Sequence, residues 1–283
     1  MVKRLAIALL LAGSICAQPR RIVSLAPSAT EMLYALGLGD RVVGVTTFCR
    51  YPPEAARKPK IGNYLRPDVE TILALRPDLV VAEKSMIRQA LSLPRLKLNV
   101  LEVDDSTIQG IYESIRAIGR ATGAGARAEA LCENIRAGLD SVRRRASPLG
   151  RPRVMFVVGR TPGRIEDLIA AGGPSYLNEV IEIAGGENIF KDAATAYAKV
   201  SLEEVLARDP EVIIDMGEMA QTVGVTEAQR RAVVALWRRY PNLKAVRNNR
   251  VFAVASDVLV VPGPRVVAAA AEVAVLLHPG SGK

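Results

Sequence analysis

Reactive side chains are few in this sequence, and their scarcity excludes whole classes of chemistry. The chain has 283 residues and a single histidine, His278, close to its end. Zinc sites built on several imidazoles and Ser-His-Asp triads need that ring at the centre of a fold, so histidine-centred catalysis is excluded. Without a companion histidine, Cys49 is no protease-like nucleophile. Cys49 and Cys132 lie far apart, and both a disulfide in an oxidising compartment and two free thiols remain open. The pairs Gly172-Gly173 and Gly185-Gly186 fall in neither a GxxxxGK[ST] nor a GxGxxG frame, so no phosphate-cradling loop is expected. Nucleophile, base and orienter cannot be assembled, and the chain is expected not to be an enzyme.

What remains is suited to recognition. Glu70 and Glu203 stand near the starts of two helical patterns, where a carboxylate either favours the helix macrodipole or, repeated once per lobe, docks as a pair onto basic sockets of a partner. Tyr64 and Tyr197 precede the same two patterns, and Phe48 follows a strand pattern. In a chain with 7 Tyr, 4 Phe and 1 Trp, aromatics at loop sites pack on their own lobe or cover a ligand. Asp257 follows another strand pattern, where it caps local amides or meets a polar ligand group. Ser201 with Glu204 and Ser28 with Glu31 read as capping boxes. Trp237, inside an apolar helical run, reads as core.

The elements that would position these residues alternate between short apolar runs and amphipathic stretches, as in α/β proteins. Strands are expected at 21–25, 42–45, 79–82 and 100–103, then at 153–158, 212–215 and 251–254. Between the two groups, 106–120 and 125–145 read as helices, and Ser147-Pro148-Leu149-Gly150 breaks the pattern. The segment 64–81 recurs at 197–214: Tyr, helix with Glu in its first turn, Leu-Ala, a proline–acid pair, then a β-branched strand. One duplication at this distance points to two similar α/β lobes with a cleft between them rather than to a solenoid.

Residues 1–17 carry Lys3 and Arg4, a short apolar run and small residues before Gln18, the pattern of a secretory signal peptide. Cleavage after Ala17 is expected, because Ile15 stands where a lipoprotein signal wants Gly or Ala; lipidation at Cys16 is the alternative. The formal charge of +9 is spread over the chain without interleaved aromatics, so it reads as solvated surface, and no nucleic-acid partner is expected.

Several segments together resemble one family, the periplasmic substrate-binding proteins of ABC importers for vitamin B12, haem and iron siderophores. They are Arg21-Ile22-Val23-Ser24-Leu25-Ala26-Pro27-Ser28-Ala29-Thr30-Glu31, Val43-Gly44-Val45, Tyr51-Pro52-Pro53-Glu54, Leu73-Ala74-Leu75-Arg76-Pro77-Asp78-Leu79-Val80, Ala184-Gly185-Gly186-Glu187-Asn188-Ile189-Phe190 and Val200-Ser201-Leu202-Glu203-Glu204-Val205-Leu206-Ala207. The resemblance implies an N-terminal lobe over 18–121, a connecting helix over 122–148 and a C-terminal lobe over 149–283. It implies that Glu70 and Glu203 engage arginines of an inner-membrane ABC permease, and that the chain works as a monomer in the periplasm. Within the family the likeness is strongest to the vitamin B12 binders. There Phe48, Tyr64 and Tyr197 fall where aromatics meet the corrinoid, Pro27 and Ser28 at the cleft end of the first strand, and Asp257 where an acid lies in the cleft. Positions 64 and 197 hold Tyr rather than Trp, and Glu83 replaces a further aromatic. A cobalt corrinoid brings its own metal, so no resident cofactor or metal is expected. Haem and ferric siderophores are the alternatives, the latter through Arg50, Arg66 and Arg265; from another class, a secreted α/β hydrolase is the alternative.

Overall fold

The computed structural model describes residues 18–63, 66–84, 97–217 and 226–280. The expected leader at 1–17, with Cys16, and Tyr64 lie outside them. The first lobe holds β1 (Ile22–Ser24), α1 (Pro27–Ala35), β2 (Val42–Val45), α2 (Val69–Ala74), β3 (Leu79–Glu83) and β4 (Val100–Val103). Two helices follow, α3 (Ile108–Thr122) and α4 (Gly125–Ala146). The second lobe holds β5 (Arg153–Gly159), β6 (Leu168–Ala171), α5 (Tyr176–Ile183), β7 (Glu187–Asn188), β8 (Tyr197–Val200), α6 (Leu202–Arg208), β9 (Val212–Asp215), α7 (Glu227–Trp237), β10 (Val251–Ala253) and α8 (Val266–Leu277).

The expected duplication is a structural one. The first lobe's sheet runs β2-β1-β3-β4 with every pair parallel. In the second lobe β7, β5, β9 and β10 make the same parallel arrangement in the same order. Helices α2 and α6 start at Val69 and Leu202, and strands β3 and β9 at Leu79 and Val212, the same interval each time. Asp68 and Ser201 cap the two helices, each accepting a backbone N–H at 3.1 Å. Arg76 (φ 46°) and Asp209 (φ 42°) then turn the chain through the left-handed region at equivalent places, each just before the proline that leads into the strand.

The second lobe also has an element not expected from the sequence. Strand β6 pairs antiparallel with the end of β5, and β8 antiparallel with β6. Tyr197 therefore opens an edge strand rather than sitting in a loop. β8 alternates exposed and covered side chains, so its apolar signal is confined to every second residue, and β7 is two residues long. The Ser28–Glu31 capping box is absent as well. Pro27 takes the first helical position, Ala26 is the N-cap, and no side chain bonds the α1 start. At Ser201 the N-cap bond forms, while the Glu204 carboxylate turns to Arg208 at 2.9 Å.

Helix α3 is capped by Thr107, whose hydroxyl accepts from Gly110 N at 3.0 Å, and stops at Gly123 in the left-handed conformation. Helix α4 is 22 residues long, about 33 Å at 1.5 Å per residue, with Ala128, Cys132, Ile135, Leu139 and Val142 buried along one stripe. It packs against α3 on one side and α8 on the other. Gly138 permits the close approach, because a Cβ there would stand 2.8 Å from Val267 Cγ1. One hydrophobic cluster runs through Ile22, Ile72, Ile135, Phe156, Ile214 and Leu277, and so crosses from lobe to lobe. A second cluster, with Met155, Trp237 and Leu243, lies within the C-terminal lobe. Trp237 is fully buried, as expected of core. Cys49 and Cys132 are both free and buried. No described helix is long and apolar enough to cross a membrane.

Candidate ligand cleft

In a parallel sheet ordered 2-1-3-4 the crevice opens beyond the carboxyl ends of the two strands where the order reverses. Those are β1 and β3 in the first lobe, β5 and β9 in the second, and the two crevices differ. In the second lobe the space is taken by protein. Arg160, just past β5, reaches Asp215 at the end of β9 with Nε–Oδ2 3.1 Å, and both side chains are fully buried. Trp237 Nε1 donates to the same carboxylate at 2.6 Å. Burial raises the Asp215 carboxyl above its ordinary value, with Arg160 and Trp237 opposing.

The first lobe's crevice is polar. Ser28, buried at the start of α1, hydrogen-bonds the Asp105 carboxyl just past β4. Burial, then the charge of Glu83, pushes Asp105 up to about 7 against the lowering effect of Ser28. Glu31, one helical turn on, pairs across the lobes with Arg265, Nε–Oε2 2.9 Å and Nη2–Oε1 2.5 Å. Arg265 also holds Asp257 at 3.2 Å and lies over the Tyr51 ring at 4.1 Å. Burial raises Glu31 despite its partner. The same burial works against the Arg265 charge, but the two carboxylates outweigh it and hold the guanidinium above its ordinary value. Thus the segments that follow β1 and β10 meet across the lobes.

Tyr176, at the start of α5, ties the two sides together. Its hydroxyl donates to the Leu259 carbonyl, and its phenol is raised well above the ordinary range by complete burial, then by Tyr197, Asp105 and Glu31, with Arg265 opposing. Of the expected site residues, Ser28 hydrogen-bonds Asp105, Asp257 pairs with Arg265, and Tyr197 acts on the Tyr176 phenol, with Pro27 beside Ser28 as the first residue of α1. Asp257 opens a short helix, Asp257–Val260, and its carboxylate is engaged by Arg265. Phe48 is 52% exposed and Tyr197 51%, leaving aromatic faces to solvent. The base of the Phe48 loop is fixed, since Cys49 Sγ lies 3.1 Å from the hydroxyls of Thr30 and Thr46. His278 lies away from this centre, buried with Nε2 3.1 Å from the Ala184 carbonyl, its pKa lowered by burial.

Asp105, Tyr51 and Tyr176 join these contacts without having been expected there, and Glu31 had been read only as a capping partner. A signal existed for Asp105, half of an acid pair directly after a strand. None existed for Glu31, whose partner is 234 positions away. Glu70 and Glu203 are exposed in the first turns of α2 and α6. One turn further on, Leu73 and Leu206 are also exposed, at 43% and 39%. Glu203 borders a surface cavity of about 890 Å³ that includes Asp167, Lys199, Arg239 and Tyr240.

Known proteins resemble this chain in sequence and in fold. A family model described as periplasmic binding protein matches residues 22–258. A vitamin B12-binding protein of Vibrio cholerae is 30% identical over 275 residues, covering 95% of this chain and 94% of its own. An ABC transporter substrate-binding lipoprotein of Bacillus subtilis is 31% identical over 274 residues, covering 94% and 82%. Among solved structures, the periplasmic vitamin B12 binding protein of Vibrio cholerae superposes with a TM-score of 0.76 at 29% identity, covering 92% of this chain and 97% of that one. A periplasmic heme-binding protein from Roseiflexus gives the same TM-score, 0.76, at 26% identity, covering 93% and 99%. These relatives are described by what they bind or help transport, and none as an enzyme. The family match over most of the chain, together with two duplicated lobes joined by a long helix, shows that the chain belongs to the periplasmic binding protein family.

Proposed function

We propose that the chain captures a corrinoid between its lobes and hands it to an ABC permease. The observation that carries this reading is the pairing of exposed aromatic faces, Phe48 and Tyr197, with a polar centre of Ser28, Asp105, Asp257 and Arg265. Flat faces suit a large ring, and a few polar groups suit the amides at its edge. The vitamin B12-binding relatives at about 30% identity support it. The reading places the protein outside the cytoplasmic membrane, exported by the leader at 1–17 and acting as a monomer. A haem ligand is the second reading, favoured by the equal TM-score of the heme-binding structure and by the exposed Tyr197 phenol, a group able to ligate iron.

Titration with cyanocobalamin, followed by heat and absorbance, tests the proposal. Binding in the micromolar range or tighter is expected, and Phe48→Ala and Tyr197→Ala are each expected to weaken it about tenfold, as loss of an aromatic contact and its area implies. Silence at tens of micromolar removes the corrinoid, and a response to haemin alone installs the second reading.

Docking onto the permease is assigned to Glu70 and Glu203, with Leu73 and Leu206 beside them. The double variant Glu70→Ala/Glu203→Ala is expected to keep ligand affinity within twofold and to lower uptake in reconstituted vesicles at least tenfold. Unchanged uptake would remove the assignment.

A further inference from the structure

We propose that Glu31 and Asp257 set the charge class of the ligand: by saturating Arg265 they remove the cation an anionic ring would seek and leave the cleft biased against carboxylate-bearing ligands. The inference rests on the reading that the cleft receives a tetrapyrrole-type ring.

A guanidinium has five N–H donors in a fixed planar fork. In Arg265, Nε meets Glu31 Oε2 at 2.9 Å, Nη2 meets Glu31 Oε1 at 2.5 Å and Asp257 Oδ2 at 3.3 Å, and Nη1 meets Asp257 Oδ1 at 3.2 Å. Four of the five are thus committed. One planar face is covered by Tyr51. An anion arriving at this fork finds its in-plane positions filled by carboxylates, which is the bidentate geometry it would itself need.

The charge balance points the same way. Two carboxylates against one guanidinium leave the cluster with a net charge of −1. Asp105 and Glu83 stand close enough to the same crevice to interact with one another. Partial burial strengthens these fields, because Glu31 is 4% exposed and the Arg265 side chain 17%, and screening by salt is weakest there. Arg50 and Arg66, the other arginines weighed for anionic chelates, are exposed and solvated. A ring with carboxylate arms therefore meets repulsion, whereas a ring whose edge carries neutral amides can accept from or donate to the same groups. Removing both carboxylate charges changes the local sum from −1 to +1 without moving Arg265 along the chain.

Haemin and its dimethyl ester isolate this effect, since they share a ring and an iron and differ in two propionate charges. Each is titrated by absorbance into wild type, Glu31→Gln/Asp257→Asn, and the same double variant with Arg265→Gln added. The wild type is expected to prefer the ester at least threefold. The double variant should shift the haemin-to-ester affinity ratio toward haemin at least tenfold, and the added Arg265→Gln should cancel that shift. Asp257→Asn alone, at a partly exposed side chain, should shift the ratio about threefold and covers the case in which Glu31→Gln fails to fold. An unchanged ratio in a folded variant overturns the proposal, as does failure of every form to bind either compound. Cyanocobalamin is titrated in parallel. If wild type ignores it while the haemin-to-ester ratio shifts as described, the corrinoid reading falls and the charge filter stands.

Discussion

Replacing Arg160 with methionine is expected to lower the folding free energy by about 3–5 kcal/mol, the usual loss when one partner of a buried ion pair is removed. Both side chains of the Arg160–Asp215 pair are fully buried, so solvent cannot take over the abandoned charge. Trp237 Nε1, at 2.6 Å, would be the one side-chain donor left to the Asp215 carboxylate among the described residues. Burial already raises the Asp215 carboxyl, and Arg160 is the largest opposing influence. Without it the carboxyl is raised further and the charge is shed more readily as pH falls, so the loss should be greater at pH 8 than at pH 5. Urea unfolding at both values measures it. A loss below about 1 kcal/mol at pH 8 would mean that water or a nearby backbone group compensates. The double variant Arg160→Met/Asp215→Leu should recover most of the deficit, because a buried pair exchanged for apolar groups of similar volume is often close to neutral.

Asp105→Asn is expected to stabilise the protein by about 2–4 kcal/mol at pH 8 and to have little effect at pH 4. The folded carboxyl titrates at about 7, the unfolded one near 3.9. Between those values the native state holds a proton that the unfolded state has released, so stability falls as pH rises through the interval. Below it both states are protonated and no penalty exists; above it both are ionised and the penalty is complete. The interval corresponds to about 4 kcal/mol at most. Asparagine removes the charge while keeping an acceptor for Ser28. Thermal unfolding of both proteins at the two pH values decides the matter, and an equal difference at each would show that the carboxylate is not the source. The cost falls on a residue beside the cleft, where strain of this kind is expected to serve binding rather than folding.

Much of the fold was legible because burial on both faces makes parallel strands nearly continuous apolar runs. Leu79-Val80-Val81 and Val212-Ile213-Ile214 announce themselves in this way, and their repetition exposed the two lobes. Strands β6 and β8 escaped notice for the opposite reason. They extend the sheet at an edge, where Tyr197 and Lys199 face outward and leave little pattern. The Ser28–Glu31 spacing was misleading because a capping box is a local motif, whereas Pro27 had already fixed the helix start and Glu31 was required by a distant arginine. Phe48 and Asp257 drew notice from their position after strands. What engages Asp257 could not, since an ion pair with Arg265 depends on a turn through Pro262, Gly263 and Pro264 that periodicity does not register.

The packing of α8 on α4 also bears on how the chain acquires its structure. The cluster that joins Ile22 to Leu277 contains residues from near both ends of the described sequence, and α8 packs on α4 and α5, so part of the connecting helix's apolar surface stays uncovered until the last helix arrives. A chain passing through a membrane from its N-terminus, as the proposed leader requires, would therefore be held incomplete until nearly all of it had emerged. Delay of that kind would keep the polypeptide threadable, and under the proposed function it would leave final assembly to the side of the membrane where ligand and permease are met.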